Sequence, residues 1–190
     1  MLLDIAIGII VGSSFAMADS AEQCTWMLVG AGVLFAVLPD LDFLLSRLLR
    51  MPRSDARHRE LLHLPLLYLP VGVLVLYPFG RELVGVFLAA SVCHFLHDSI
   101  GIGWGIRWLY PLTRDSYSFL YHIHDMSAVP RIPAYKFVFV WRESELNETV
   151  DKYGDPHWLR NIYLTLHPYS AIEGIALIAV LVYFAVLSTQ

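Results

Sequence analysis

Five apolar stretches divide this chain, and they limit its fold more than any other feature of the sequence. They lie at roughly 2–17, 24–39, 61–79, 83–97 and 171–187. Several approach the twenty or so residues that a helix needs to cross about 30 Å of hydrocarbon. Because 57% of the residues are hydrophobic and only 16% are charged, water is not the chain's only solvent. The sequence predicts an all-α integral membrane helix bundle, with about five transmembrane helices in a single membrane domain over 1–190.

The last of these stretches is assigned as a transmembrane helix, whereas the first allows two assignments. Residues Ile172 to Leu187 carry one charge, near their start, and fit a transmembrane helix. Residues 1–18 could instead be a signal peptide, because Ala16-Met17-Ala18 has the small residues of a cleavage site. Asp4 stands where a signal peptide carries lysine or arginine, which favours a retained first helix.

The basic residues predict the orientation, because they avoid the translocated side of a membrane. Of the 13 lysines and arginines, five lie in the 40–60 connection and seven in the long 98–170 connection. The 18–23 turn has Asp19 and Glu22 without a cation. We therefore expect a multi-pass protein of the cell inner (plasma) membrane, with its N-terminus and both long connections in the cytoplasm. Residues 114–169 are expected to form a cytoplasmic-side loop or lid.

The remaining ionisable residues gather at this predicted cytoplasmic face. Asp40 and Asp42 end the second stretch, His58 and His63 lead into the third, and His94 and Asp98 close the fourth. Charged groups at membrane depth are costly unless they are paired, hydrated or bound to a cation. Their convergence therefore predicts a functional site.

The residue types and spacings favour a metal site. His94 and Asp98 are four residues apart, which places both side chains on one face of a helix. Pro39 predicts an irregular helix end, at which Asp40 and Asp42 can both turn inward. Nitrogen and carboxylate ligands together suit a divalent transition metal, such as zinc or manganese, more than magnesium or calcium. Six candidate ligands allow one ion or two.

Each of these residues, taken alone, also has an ordinary structural explanation. Asp40 and Asp42 could cap helix ends, and His58 could belong to a basic patch beside the membrane. A second cluster, at His122, His124 and Asp125, is interpreted as a polar surface or lid, because alternate side chains of an extended segment face opposite sides. These explanations do not account for the convergence of all the candidate ligands at one depth.

Three motifs in order carry a resemblance to a known family: LPDLDFL (38–44), HRELLH (58–63) and HFLHDSIGIGWGIRWLYPLT (94–113). They resemble the membrane-bound metal-dependent hydrolases, the family that includes the LexA-regulated inner-membrane protein of enteric bacteria. The resemblance covers about the first 115 residues. It implies a metal site made of Asp40, Asp42, His58, His63, His94 and Asp98.

The chain departs from that family's pattern at two places. Family versions of the middle motif commonly continue into Thr-His-Ser, whereas Leu62 and Leu64 flank His63 here. The family often has a histidine near the N-terminus, where this sequence offers Asp4. We keep Asp4 as a possible seventh ligand.

The predicted chemistry is metal-dependent hydrolysis of a phosphoester or lipid-like substrate. Two metal ions a few Å apart suit phosphoester hydrolysis, with Asp42 or Asp98 as the general base. Arg59 and Arg107 are expected to bind a phosphate or an anionic headgroup. The expected partners are therefore membrane lipid and an amphiphilic or phosphorylated substrate. A nucleic-acid partner is not expected, because the net charge is −4 and the basic residues form no stripe.

Two alternatives remain open at this point. A metal or small-ion transporter could use the same ligands for binding alone, but a carrier needs polar residues through the whole bilayer. The outer halves of these stretches have almost none, which favours an enzyme. A structural membrane protein could also hold a metal, because structural and catalytic sites share ligands and differ in an open coordination position.

Overall fold

The computed structural model describes residues 1–18, 25–49, 59, 61–100, 104–122, 135–153, 161 and 168–187. The protein is mostly helical. Its described elements are α1 (Leu2–Ala18), α2 (Thr25–Val37), α3 (Asp42–Leu48), α4 (Pro65–Leu76), α5 (Arg81–Ser99), β1 (Ser116–His122), β2 (Tyr135–Trp141), α6 (Glu143–Tyr153) and α7 (Pro168–Leu187). Short 3₁₀ turns at Leu38–Leu41 and Tyr77–Phe79 follow α2 and α4.

One helical stretch among the described residues is long and apolar enough to cross a membrane. It runs from Trp26 to Ser46, has 21 residues and a mean hydropathy of 2.0, and joins α2 to α3 through a 3₁₀ turn. Three shorter apolar helices lie at Leu2–Met17, Pro65–Phe79 and Ser170–Val186. The bundle of five transmembrane helices therefore stays a prediction.

The chain divides into two compact units. The first consists of Met1–Pro39, Val71–His94 and Leu159–Gln190, and the second of Asp40–Pro70 and Phe95–Trp158. The division falls inside α5, between His94 and Phe95, so this continuous helix contributes residues to both units. The single membrane domain over 1–190 stays a prediction.

In the first unit, glycines bring the backbones of α1 and α2 into contact. A Cβ atom added at Gly8 would meet the backbone of Gly32 and Val33, and one added at Gly12 would meet that of Leu28 and Val29. Gly8 and Gly12 have the four-residue spacing that lets helices in lipid approach closely, where tight van der Waals packing replaces the missing hydrophobic drive. The pair α1–α2 is therefore built from small residues on facing surfaces.

The last helix packs in the same unit. Phe184 of α7 meets Trp26 of α2 edge to face, with 5.3 Å between ring centroids. Glu173, near the start of α7, accepts a hydrogen bond of 3.4 Å from the backbone N–H of Leu3. Phe35 of α2 and Phe87 of α5 form another edge-to-face pair at 5.3 Å. Aromatic pairs of this kind add to the stability that burial alone provides.

The second unit contains a β-hairpin, so the all-α prediction is wrong on this point. Strands β1 and β2 pair antiparallel, with Ser116 opposite Trp141 and Phe119 opposite Val138. The physical reason is in the local sequence: SYSFLYH and YKFVFVW are rich in aromatic and β-branched residues and have no helical period. The region predicted as a loop or lid, 114–169, thus contains this hairpin and α6.

The hairpin and α6 share a small core. Trp141, Leu146 and Val150 are buried together, with Trp104 and Phe139 packed against them. Gly105 precedes the hairpin with a φ of +64° and lies against the carbonyl of Tyr117. A side chain at residue 105 would be excluded both by that backbone conformation and by the contact. Gly105 thus allows the backbone before the hairpin to approach β1 closely, while residues 101–103 lie outside the described residues.

The contact between α1 and α2 predicts opposite effects for two neighbouring glycines of α2. A Cβ at Gly32 would meet the Gly8 carbonyl, whereas a Cβ at Gly30 would meet nothing within 4 Å. We expect Gly32→Ala to destabilise the protein by about 1–3 kcal/mol through overpacking. Gly30→Ala gains helix propensity, worth about 0.5–1 kcal/mol, without a clash. Thermal unfolding of both variants in detergent measures the difference, and equal Tm values would contradict the packing described here.

Candidate metal centre

Asp40 and Asp42 lie at the point where the long apolar helix changes direction. Asp40 belongs to the 3₁₀ turn Leu38–Leu41, and Asp42 is the first residue of α3. Proline cannot continue the hydrogen-bonding pattern of an α-helix, and Pro39 is buried in this turn. The turn therefore presents two carboxylates at the end of an apolar stretch, where a regular helix would have separated them.

Asp42 is fully buried and its oxygens accept several hydrogen bonds from one short segment. The backbone N–H groups of Leu61, Leu62 and His63 donate to it at 3.2, 2.8 and 3.3 Å. Nδ1 of His63 lies 2.9 Å from Asp42 Oδ2. A buried carboxylate needs such partners, because losing its hydration is otherwise very costly. Asp42 thus fixes both the backbone before α4 and the ring of His63.

The His63 ring lies between two carboxylates. Its Nδ1 contacts Asp42, and its Nε2 lies 3.0 Å from Oδ2 of Asp98. His63 stands in the connection before α4, and only 1% of its side chain is exposed. Burial alone lowers the pKa of this imidazole, but the hydrogen bonds to Asp42 and Asp98 and the charge of Asp98 outweigh burial and raise it. The surroundings of the ring therefore favour a positive charge.

Helix α5 carries the other histidine of the site. His94 and Asp98 are one turn apart on α5. Nδ1 of His94 lies 3.2 Å from Oδ1 of Asp4, and both side chains are buried in the first unit. His94, like His63, therefore has a carboxylate beside its Nδ1 atom.

Four residues offer ligand atoms close enough to share one ion. Asp40, His63, His94 and Asp98 each contribute one atom, and these atoms all lie within 4.8 Å of one another. Two nitrogens and two carboxylate oxygens form a complete set for a four-coordinate divalent transition metal. The group could therefore hold one metal ion, and its ligands do not identify that ion.

Comparison with known protein families agrees with the apolar character of the chain. The family model of the YdjM inner membrane protein matches residues 4–189. The chain belongs to the YdjM inner membrane protein family. Searches of curated proteins and of solved structures gave no match. The predicted inner-membrane family is thus confirmed, while a hydrolytic activity is not part of what the family description states.

The predicted ligands of this YdjM-family chain fall into three sets. Asp40, His63, His94 and Asp98 come together in the four-residue group. Asp42 lies next to that group and contacts it through His63. His58 lies outside the described residues, as do His124 and Asp125 of the second cluster. The complete set of six ligands and a second ion stay predictions.

The two arginines predicted to bind substrate line one small cavity in the second unit. Arg59 lies with a guanidinium nitrogen 3.5 Å from Oδ1 of Asp98, and Arg107 lies 3.7 Å from Glu143. The cavity is lined by Arg59, Trp104, Gly105, Ile106, Arg107, Ser116 and Leu146. Arg59 therefore contacts both this cavity and a residue of the four-residue group.

Two contacts made by acids of this region cannot be read from the sequence. The contact of Asp4 with His94 joins residues 90 positions apart, which spacing along the chain does not reveal. The oxygens of Asp42 bond to residues 61–63, and its predicted roles as a ligand and a base stay predictions. The sequence does indicate that each acid has a partner, because a charged residue in the first turn of an apolar helix needs one.

Removing one ligand should abolish metal binding. His63→Ala leaves three of the four ligand atoms, and we expect metal affinity to fall by more than about 100-fold, because loss of an outer partner alone costs 10–100-fold. His97→Ala is the matched control, since His97 lies on α5 between the two ligands but is not in the group. Elemental analysis of purified, monodisperse protein after loading with zinc or manganese measures the change. Equal metal content in wild type and His63→Ala would refute the site.

Proposed function

We propose that this chain is a metal-dependent hydrolase of the inner membrane, with its metal bound by Asp40, His63, His94 and Asp98. The proposed substrate is a phosphoester or lipid-like molecule. We further propose that the chain crosses the membrane several times and that its metal site lies at the cytoplasmic face. The site, the substrate and the orientation are supported by separate observations.

The orientation of the His63 ring carries the proposal. A neutral imidazole has one N–H donor and one acceptor nitrogen. The ring places Nδ1 2.9 Å from Asp42 and Nε2 3.0 Å from Oδ2 of Asp98. Without a metal ion, a proton on each nitrogen satisfies both carboxylates, in agreement with the raised pKa of this ring. A divalent ion would take the place of the Nε2 proton, and Asp40 and His94 offer it further ligand atoms.

A divalent ion held there would supply Lewis-acid activation of water and of a substrate oxygen. Asp98 is the proposed general base, because its Oδ1 atom faces Arg59 and 12% of its side chain is exposed. Asp42 was the alternative base, but it is fully buried and its oxygens hold the segment 61–63. A base must exchange its proton with solvent, which favours Asp98 over Asp42.

The arginine cavity supports an anionic substrate. Arg59 and Arg107 both line this cavity, so an anion bound there would lie beside two guanidinium groups. Guanidinium groups form strong, charge-assisted hydrogen bonds to phosphate oxygens.

The proposed orientation rests on the charge distribution of the sequence. Twelve of the 13 lysines and arginines lie in the two long polar connections. Basic residues are retained on the cytoplasmic side. Arg59 and Arg107 belong to these connections, so the arginine cavity faces the cytoplasm in this proposal. A phosphorylated lipid would then enter from the inner leaflet.

Hydrolysis should depend on the metal and on its ligands. We expect purified protein loaded with zinc or manganese to release phosphate from p-nitrophenyl phosphate or from vesicles containing a phosphatidic acid. A chelator and the substitution His94→Ala should each remove the activity, whereas His97→Ala should retain it. Metal binding without hydrolysis of either probe would overturn the proposed enzyme and favour a metal carrier or a structural site.

The arginine cavity predicts a specific kinetic change. Arg107→Ala removes a guanidinium that lines the cavity, and we expect KM for a phosphate ester to rise about 10–100-fold, since a charged hydrogen bond contributes roughly 1.5–3 kcal/mol. Arg114→Ala is the matched control, because Arg114 also pairs with Glu143, at 3.6 Å, but does not line the cavity. Steady-state kinetics should show little change in that control. Equal KM values for the two variants would contradict the assignment.

A further inference from the structure

Both imidazoles of the four-residue group have a buried carboxylate beside the same ring nitrogen. Asp42 Oδ2 lies 2.9 Å from Nδ1 of His63, and Asp4 Oδ1 lies 3.2 Å from Nδ1 of His94. All four side chains are at most 2% exposed. Asp4 and Asp42 are both absent from the four-residue group, and each lies in the first turn of a helix, α1 or α3.

We propose that Asp4 and Asp42 are matching positioning residues, each of which holds one metal-binding histidine through Nδ1 and leaves Nε2 for the ion. The inference rests on the metal site of the proposed function and deepens it. Asp4 is therefore not a seventh ligand, and Asp42 is not the general base.

The chemistry of imidazole explains why such partners matter. A histidine binds metal through one nitrogen only when its proton is on the other, and the group that accepts this proton selects the tautomer. A carboxylate in that place also orients the ring and makes the ligand nitrogen more basic. Asp42 makes this hydrogen bond to His63, and Asp4, whose Oδ1 lies 3.2 Å from Nδ1 of His94, would make it when that ring binds the ion through Nε2. Without them, each ring could turn or take the other tautomer.

Asp4 gives a cleaner test than Asp42. Asp42 accepts hydrogen bonds from the backbone N–H groups of Leu61, Leu62 and His63, so replacing it alters the chain before α4 as well as the ring. Asp4 contacts His94 and the amino group of Met1. Glu173 contacts the same amino group at 3.5 Å, which makes Glu173→Gln a matched control for that second contact.

The test is a titration of the full-length protein in detergent with Co²⁺, followed by visible absorption. We expect Asp4→Ala to raise Kd for Co²⁺ about 10–100-fold, the usual effect of removing an outer partner of a ligand. At saturating Co²⁺, the absorption bands should match those of wild type, because the ligands are intact. Glu173→Gln should keep the wild-type Kd. Asp4→Asn retains an acceptor oxygen, and we expect a smaller increase than for alanine.

The possible results separate the competing roles. Changed bands at saturation would make Asp4 a ligand, and an unchanged Kd with a lowered Tm would make it only structural; either result overturns the inference. If Asp4→Ala does not fold, Asp4→Asn decides the matter, and a wild-type Kd in that folded variant together with an unchanged pH dependence of binding overturns it as well. Absence of Co²⁺ binding by wild type refutes the proposed metal site itself. Weakened binding by Asp4→Ala in a protein that hydrolyses nothing would support the inference while removing the proposed hydrolase.

Discussion

The buried contact between Asp42 and His63 is the interaction on which the organisation of the second unit depends. Through it, the end of the long apolar helix is tied to the segment that leads into α4, and the His63 ring is turned toward Asp98. A buried carboxylate without partners costs several kcal/mol, so the segment 61–63 has little freedom to move away from Asp42. The site therefore follows from satisfying one buried charge rather than from a loop shaped only for function.

Close glycine contacts and a buried polar pair hold helices of the first unit together, which is the kind of packing expected in a membrane. Hydrophobic burial gives no drive for helices to associate in lipid, so close backbone contact and polar pairs take its place. Gly8, Gly12 and Gly32 supply the first of these in α1 and α2, and Asp4 with His94 supplies the second. Asp4, in the first turn of α1, thus contacts His94 of α5, which is also one of the four candidate metal ligands.

The sequence predicted the parts of the site that depend on local spacing and missed the parts that depend on contacts across the chain. His94 and Asp98 follow from a four-residue helical spacing, and Asp40 follows from the helix end at Pro39. The bond between Asp42 and His63 spans 21 residues and forms through a connection whose path has no sequence period. The hairpin was missed for a different reason, because its strands are short and the apolar stretches dominated the interpretation of the fold.

The difference in exposure between Asp42 and Asp98 determines how the two acids can divide the work. A carboxylate that is 0% exposed, accepts hydrogen bonds from three backbone groups and also contacts Nδ1 of His63 has neither solvent access nor a spare lone pair for a proton in transit. A carboxylate that is 12% exposed, with one oxygen toward His63 and the other toward Arg59, retains access to water beside an arginine. In the proposed enzyme, two aspartates that look equivalent in the sequence therefore have separate roles: Asp42 supports a ligand, and Asp98 faces the place where a substrate anion would lie.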